Sequence, residues 1–297
     1  MRNRFDQLGK QIGKQALDLS GLTVAHDEIS PDAHHADLRH EPDPTRGADR
    51  ARLGLLGRLA AFLCLLELFS YAPDEDEVLA CVGKLIAFRQ KHARAFRQRR
   101  ARNARGREGA ETFIKPFVWI ITAGRPTAVL TELGGSPIEG WPAGVYFSAA
   151  LFRVGIVVAS ELPWDRSTLL VRLMAAGPLL PRAIEDLGAL PADAPERVVA
   201  EQILLNLQHV LGKKESRTPE EQEFIVTMHN TWEKAREEGR AEGAARALLT
   251  TLRVRGIAVS DAVRERILAQ KDLERLERWH ERAVVAASID DVLDKPS

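Results

Sequence analysis

The segments His34-His35-Ala36-Asp37-Leu38-Arg39-His40 and Leu63-Cys64-Leu65-Leu66-Glu67-Leu68-Phe69 read as two strands, each bringing one carboxylate into an apolar setting. An ionised carboxylate costs several kcal/mol to bury unless a cation or a metal compensates it. Side chains two apart on a strand share a face, so Glu67 and Phe69 point the same way, as do Asp37 and Arg39. On neighbouring strands, Asp37 and Glu67 come close enough to hold one Mg²⁺ through oxygens. Such an ion would activate water and stabilise the charge developing on a phosphodiester. The alternative makes Glu67 a strand-end residue paired with an arginine, and Asp37 the edge of a polar loop.

Outward from these strands, the pattern is that of a mixed sheet flanked by helices. Phe5, Leu8, Ile12 and Ala16 recur at helical spacing up to Gly21 and predict an N-terminal amphipathic helix. Residues 22–29 and 34–40 read as a hairpin turning at Ser30-Pro31-Asp32. Residues 53–61 suit a short helix or a strand lead-in. Asp74 and Glu77 are spaced as a capping box before a long helix whose buried stripe is Val78, Val82, Leu85 and Ile86. Phe117-Val118-Trp119-Ile120-Ile121-Thr122 is a central strand, and residues 145–147 and 154–159 are two more.

Beyond Pro163 only helices are expected, over residues 168–174, 183–190, 195–210 and 219–238. Residues 237–243 read as a charged, glycine-bearing hinge before a small helical module over 244–255, 261–270 and 273–286. The expected architecture is an α/β (α+β) domain over 1–165, a helical extension over 166–238 and a C-terminal helical module over 239–297.

The 297 residues are 45% hydrophobic and formally neutral, so a polyanion partner would need a local basic patch. Two cysteines at no metal-like spacing suggest buried thiols in a reducing compartment. With no secretory apolar region and no stretch suited to cross a bilayer, a cytoplasmic protein is expected.

The order of "FDQLGKQIGKQAL", "VAHDEISPDAHHADL", "LLELF" and "FVWIITAG" resembles the Rpn/YhgA-type transposase-related proteins of the PD-(D/E)XK nuclease superfamily. The tail "GRAEGAARALLTTLRVRG" with "LERLERWHERAVVAASIDDVL" is similar to the helical tail of many of them. The resemblance implies a restriction-endonuclease-like core, Mg²⁺-dependent DNA cleavage in bacteria and a role linked to mobile elements or recombination. It also implies that Glu28 is the first-strand glutamate, Asp37 the metal-binding aspartate and Glu67 the glutamate of the (D/E)-x-K/Q element. Phe69 stands where that element has Lys or Gln, and a phenyl ring neither donates a hydrogen bond nor carries charge. Arg39 or Lys84 is then needed to supply the cation. Without one, the same fold would serve as a non-catalytic DNA- or protein-binding module.

The tract from Arg89 to Arg107 carries no acid. Within it Arg94, Arg97, Arg99, Arg100 and Arg102 are candidate phosphate contacts to DNA, or cations favoured by the helix C-terminal dipole. His26, His34, His35 and His40 match no zinc template and suit a solvent-exposed polar hairpin. Residues 233–242 read as a solvated, ion-paired helix, with a homo-oligomer through the C-terminal helices as the other reading.

Overall fold

The apolar stripe of the first helix meets a sheet that every later strand extends. The computed structural model of the protein describes residues 4–30, 34–103, 112–214 and 216–293. Helix α1 (Arg4–Leu17) buries Phe5, Leu8, Ile12 and Ala16, as their spacing predicts. Strands β1 (Gly21–Ser30) and β2 (His34–Pro42) form the antiparallel hairpin, in register from Gly21 against Pro42 to Glu28 against His35. The short helices α2 (Gly47–Ala51) and α3 (Gly54–Leu59) lead into β3 (Cys64–Phe69), so residues 53–61 take the helical alternative.

Helix α4 (Glu75–Asn103) begins at the expected capping box: Glu77 N donates to Asp74 Oδ1 at 2.9 Å, and Asp74 N donates to Glu77 Oε2 at 3.0 Å. Its stripe departs from the expectation at Ile86, which is exposed. Strand β4 (Phe117–Thr122) is buried along its whole length, as an apolar β-branched run between two helical layers should be. Helix α5 (Thr127–Glu132) and strands β5 (Val145–Phe147) and β6 (Val154–Val158) follow.

The sheet runs β1-β2-β3-β4-β6-β5. β3 pairs parallel with β4 and β4 with β6, whereas the hairpin, the β2–β3 pair and β5 on β6 are antiparallel. Odd-numbered β3 residues face α4, where Leu65 packs with Val78, Cys81 and Leu85. Even-numbered ones face α1, whose Gly9 approaches both Leu68 and the Met174 carbonyl. That carbonyl belongs to α6 (Leu169–Ala175), which lies against α1. Glycine is required here, because a Cβ on Gly9 would stand 2.2 Å from the Met174 oxygen. The same demand arises at Gly155 in β6, where a Cβ would meet the fully buried Trp119 ring at 2.2 Å.

Among the described residues only helices follow: α7 (Leu180–Gly188), α8 (Pro195–Gly212), α9 (Pro219–Val254), α10 (Asp261–Leu268) and α11 (Leu273–Val285). Contacts divide the chain into Met1–Met228 and His229–Ser297, a division that falls inside α9. The second unit has its own core of Leu248, Leu252, Ile267, Leu276 and Trp279. The hinge expected at residues 237–243 is corrected: these residues are helical, within α9. Their Glu, Arg and Ala are strong helix formers, and Gly239 and Gly243 face open space without a packing demand that would bend the chain. Among the described residues no helix is long and apolar enough to cross a membrane.

A carboxylate pair held by two lysines

The site forms where β2 leaves β3. Their pairing runs His40 against Cys64, Arg39 against Leu65 and Leu38 against Leu66, and stops. The next opposed positions are Asp37 and Glu67. There a side chain replaces the backbone ladder: Leu68 N donates to Asp37 Oδ2 at 3.0 Å. Asp37 therefore satisfies the β3 amide that the departing strand no longer reaches. Its other oxygen, Oδ1, lies 2.7 Å from Lys10 Nζ on α1, and the same ammonium sits 2.6 Å from Asp6.

Glu67 is 2% exposed, facing α4. Oε2 is 2.7 Å from Lys84 Nζ, while Oε1 is buried without a hydrogen-bond partner. Burial pushes the Glu67 carboxyl up to about 7; the Lys84 ammonium opposes the shift and the Asp37 carboxylate adds to it. Burial alone would lower the Lys84 ammonium, but the Glu67 carboxylate outweighs it and the net shift is upward. Lys10 behaves alike, burial being outweighed by Asp37 and Asp6.

Of the two cations expected to serve the pair, Lys84 reaches it, at Glu67, and Arg39 does not. Arg39 bonds Asp27 at 2.7 Å and lies 3.6 Å from Glu41, tying the hairpin together. Phe69 packs half-buried against the α4-side core, with its ring edge-to-face on Tyr71 at 5.8 Å. Lys10 and Asp6 did not emerge from strand patterning. The signal available was a lysine four residues after an aspartate beside the apolar stripe of α1. The Glu28 side chain lies outside the described residues, although its β1 position opposite His35 is clear.

Among the described residues no three His, Cys, Asp or Glu side chains group to hold a metal ion. Of the carboxylate oxygens of Asp37 and Glu67, Oδ1 is engaged by Lys10, Oδ2 by the Leu68 amide and Oε2 by Lys84. The unpartnered Glu67 Oε1 is an available ligand atom.

Arg94, Arg97, Arg99 and Arg100 are exposed on α4, and Arg97 Nε bonds the Ala93 carbonyl at 3.3 Å. At the helical rise they begin about 15 Å along the axis from Lys84. The Arg102 side chain lies outside the described residues. His40 departs from the exposed hairpin expected of the histidines: it is fully buried, with Nδ1 2.9 Å from Thr23 Oγ1. Burial lowers it to about 4, leaving the ring neutral at neutral pH. Cys64 and Cys81 are buried free thiols, both pushed up by burial. Comparison of the chain with protein-family models, with curated proteins and with solved structures gives no match.

Proposed function

We propose that this chain is a PD-(D/E)XK-type nuclease that cleaves DNA with Mg²⁺, in which Lys84 supplies the cation that Phe69 does not. The observation that carries this reading is the Glu67 carboxyl: one oxygen held by Lys84, the other buried and unpartnered, with the Asp37 charge near enough to act on it. A buried acceptor without a partner is costly, and a cation between the two carboxylates would satisfy it. Asp37 and Glu67 would hold the metal, which when bound lowers the pKa of its water and stabilises charge on the scissile phosphate. Lys84 offers three N–H donors on a compact ammonium; one engages Glu67, leaving others for a water or a phosphate oxygen. Lys10 neutralises and orients Asp37. Arg94, Arg97, Arg99 and Arg100 would hold the phosphate backbone on the helix that carries Lys84. The element order from α1 to β4 supports the resemblance, which implies a role linked to mobile elements or recombination; the absence of a secretory or membrane-crossing stretch in the sequence supports a cytoplasmic place for it.

Nicking of supercoiled plasmid by the purified chain tests this. Mg²⁺- or Mn²⁺-dependent nicking, abolished by chelator and by Glu67→Gln, Asp37→Asn and Lys84→Met, is the expected result. Absence of nicking by folded protein with either metal overturns it.

Two observations favour a non-catalytic DNA- or protein-binding module as the second reading: Lys10 already occupies Asp37 Oδ1 at 2.7 Å, and Phe69 packs against the core. Because Asp37 is paired, removing it destabilises under both readings. Metal-dependent melting separates them: a bound ion at a hundred times its Kd stabilises by about 2.7 kcal/mol, whereas a sealed site gives no shift.

A further inference from the structure

The second unit carries a charged groove that the site on β3 does not explain. Its volume is about 1050 Å³, and it opens to solvent. One wall is an α9 face on which Arg246, Leu249 and Arg253 follow at helical spacing. Opposite stand Arg264 on α10 and Lys271 in the α10–α11 connection. The only acid lining the groove among the described residues, Glu242, is ion-paired with Arg246 at 2.5 Å. Arg253, Arg264 and Lys271 are exposed and make no ion pair with a described carboxylate. The fold therefore converges unneutralised cations from three segments, in a chain whose formal net charge is zero.

We infer that this groove binds the phosphodiester backbone of a nucleic acid. Arginine pairs with phosphate through two parallel N–H bonds, and a rim of donors with its one carboxylate already engaged selects for anions. Among the described residues no aromatic side chain lines the groove, so recognition is of backbone charge without sequence. The inference rests on the nucleic-acid reading above, and adds a contact surface independent of α4.

Fluorescence anisotropy of a labelled 30-base-pair duplex with the full chain, titrated with salt, tests it. Wild type is compared with Arg253→Gln/Arg264→Gln/Lys271→Gln and with Arg97→Gln/Arg99→Gln/Arg100→Gln, each checked for an unchanged melting temperature. The groove variant should bind at least tenfold more weakly, and its slope of log K against log salt should be shallower by about 2.7, roughly 0.9 for each lost phosphate contact. If the groove variant keeps wild-type affinity and slope while the α4 variant loses both, the groove inference falls and the nucleic-acid reading stands. If wild type binds no DNA, both fall. If polyglutamate binds the groove and the variant loses that binding alone, the ligand is an acidic peptide and the inference is overturned.

Discussion

Lys84 Nζ lies 2.7 Å from Glu67 Oε2, joining the first half of α4 to β3. A glutamate in a leucine run is tolerable because this ammonium, from a helix that begins after the strand ends, folds back over it. The pair is unevenly exposed: the Glu67 side chain is 2% exposed and Lys84 17%. The lysine therefore touches both the interior and solvent. Phe69, on the same face, packs against the α4-side core.

Glu67 makes stability depend on pH in an unusual direction. Burial raises its folded pKa to about 7 from 4.5. Between these values the unfolded chain has released the proton and the folded chain retains it, so raising pH favours unfolding. The stabilisation is fully present below pH 4.5 and is lost as pH rises towards 7. Relative to Glu67→Gln, wild type should lose about 3 kcal/mol across this window. Urea unfolding of both proteins at pH 4.5, 5.5, 6.5 and 7.5 measures it; a constant difference would contradict the burial argument.

Lys10 holds two carboxylates at 2.6 and 2.7 Å while itself only 5% exposed. Lys10→Met preserves its length and removes the charge, leaving Asp37 with the Leu68 amide alone. Breaking one side of such a buried pair costs about 3 kcal/mol. A double-mutant cycle with Asp37→Asn should return a coupling of roughly 1 kcal/mol or more in urea unfolding; additivity would mean the pair contributes nothing specific.

The sheet was legible because its strands follow period-two or wholly apolar patterns, and α4 because Asp74 and Glu77 mark its start. Asp37 and Glu67 stood out because carboxylates among leucines conflict with their surroundings. Lys10 did not, because one lysine on an amphipathic helix is ordinary; what buries it is the close approach of α1 to the sheet and α6, a tertiary fact. The choice of Lys84 over Arg39 was hidden for a similar reason. It depends on Asp27 and Glu41 occupying the arginine across the hairpin.

Gly9 sets that close approach. Gly9→Ala gains about 1 kcal/mol of helix propensity but places a methyl 2.2 Å from the Met174 carbonyl oxygen, so α1 must move. A net loss of about 2 kcal/mol is expected, as for overpacked cores. Because a displaced α1 carries Lys10 away from Asp37, Gly9→Ala and Lys10→Met should lose less together than the sum of their separate losses. Thermal melts of the single and double variants decide it.

At residues 237–243 a hinge and a helix predict opposite responses to alanine. Gly239 and Gly243 are interior to α9, and a Cβ on either meets nothing within 4 Å. Alanine at each should therefore stabilise the helix by about 1 kcal/mol, through backbone entropy alone. Amide hydrogen exchange across these residues should slow in Gly239→Ala/Gly243→Ala, with DNA affinity unchanged. A segment that had to bend for binding would instead lose affinity on the same substitutions, because alanine stiffens the conformation the bend must leave.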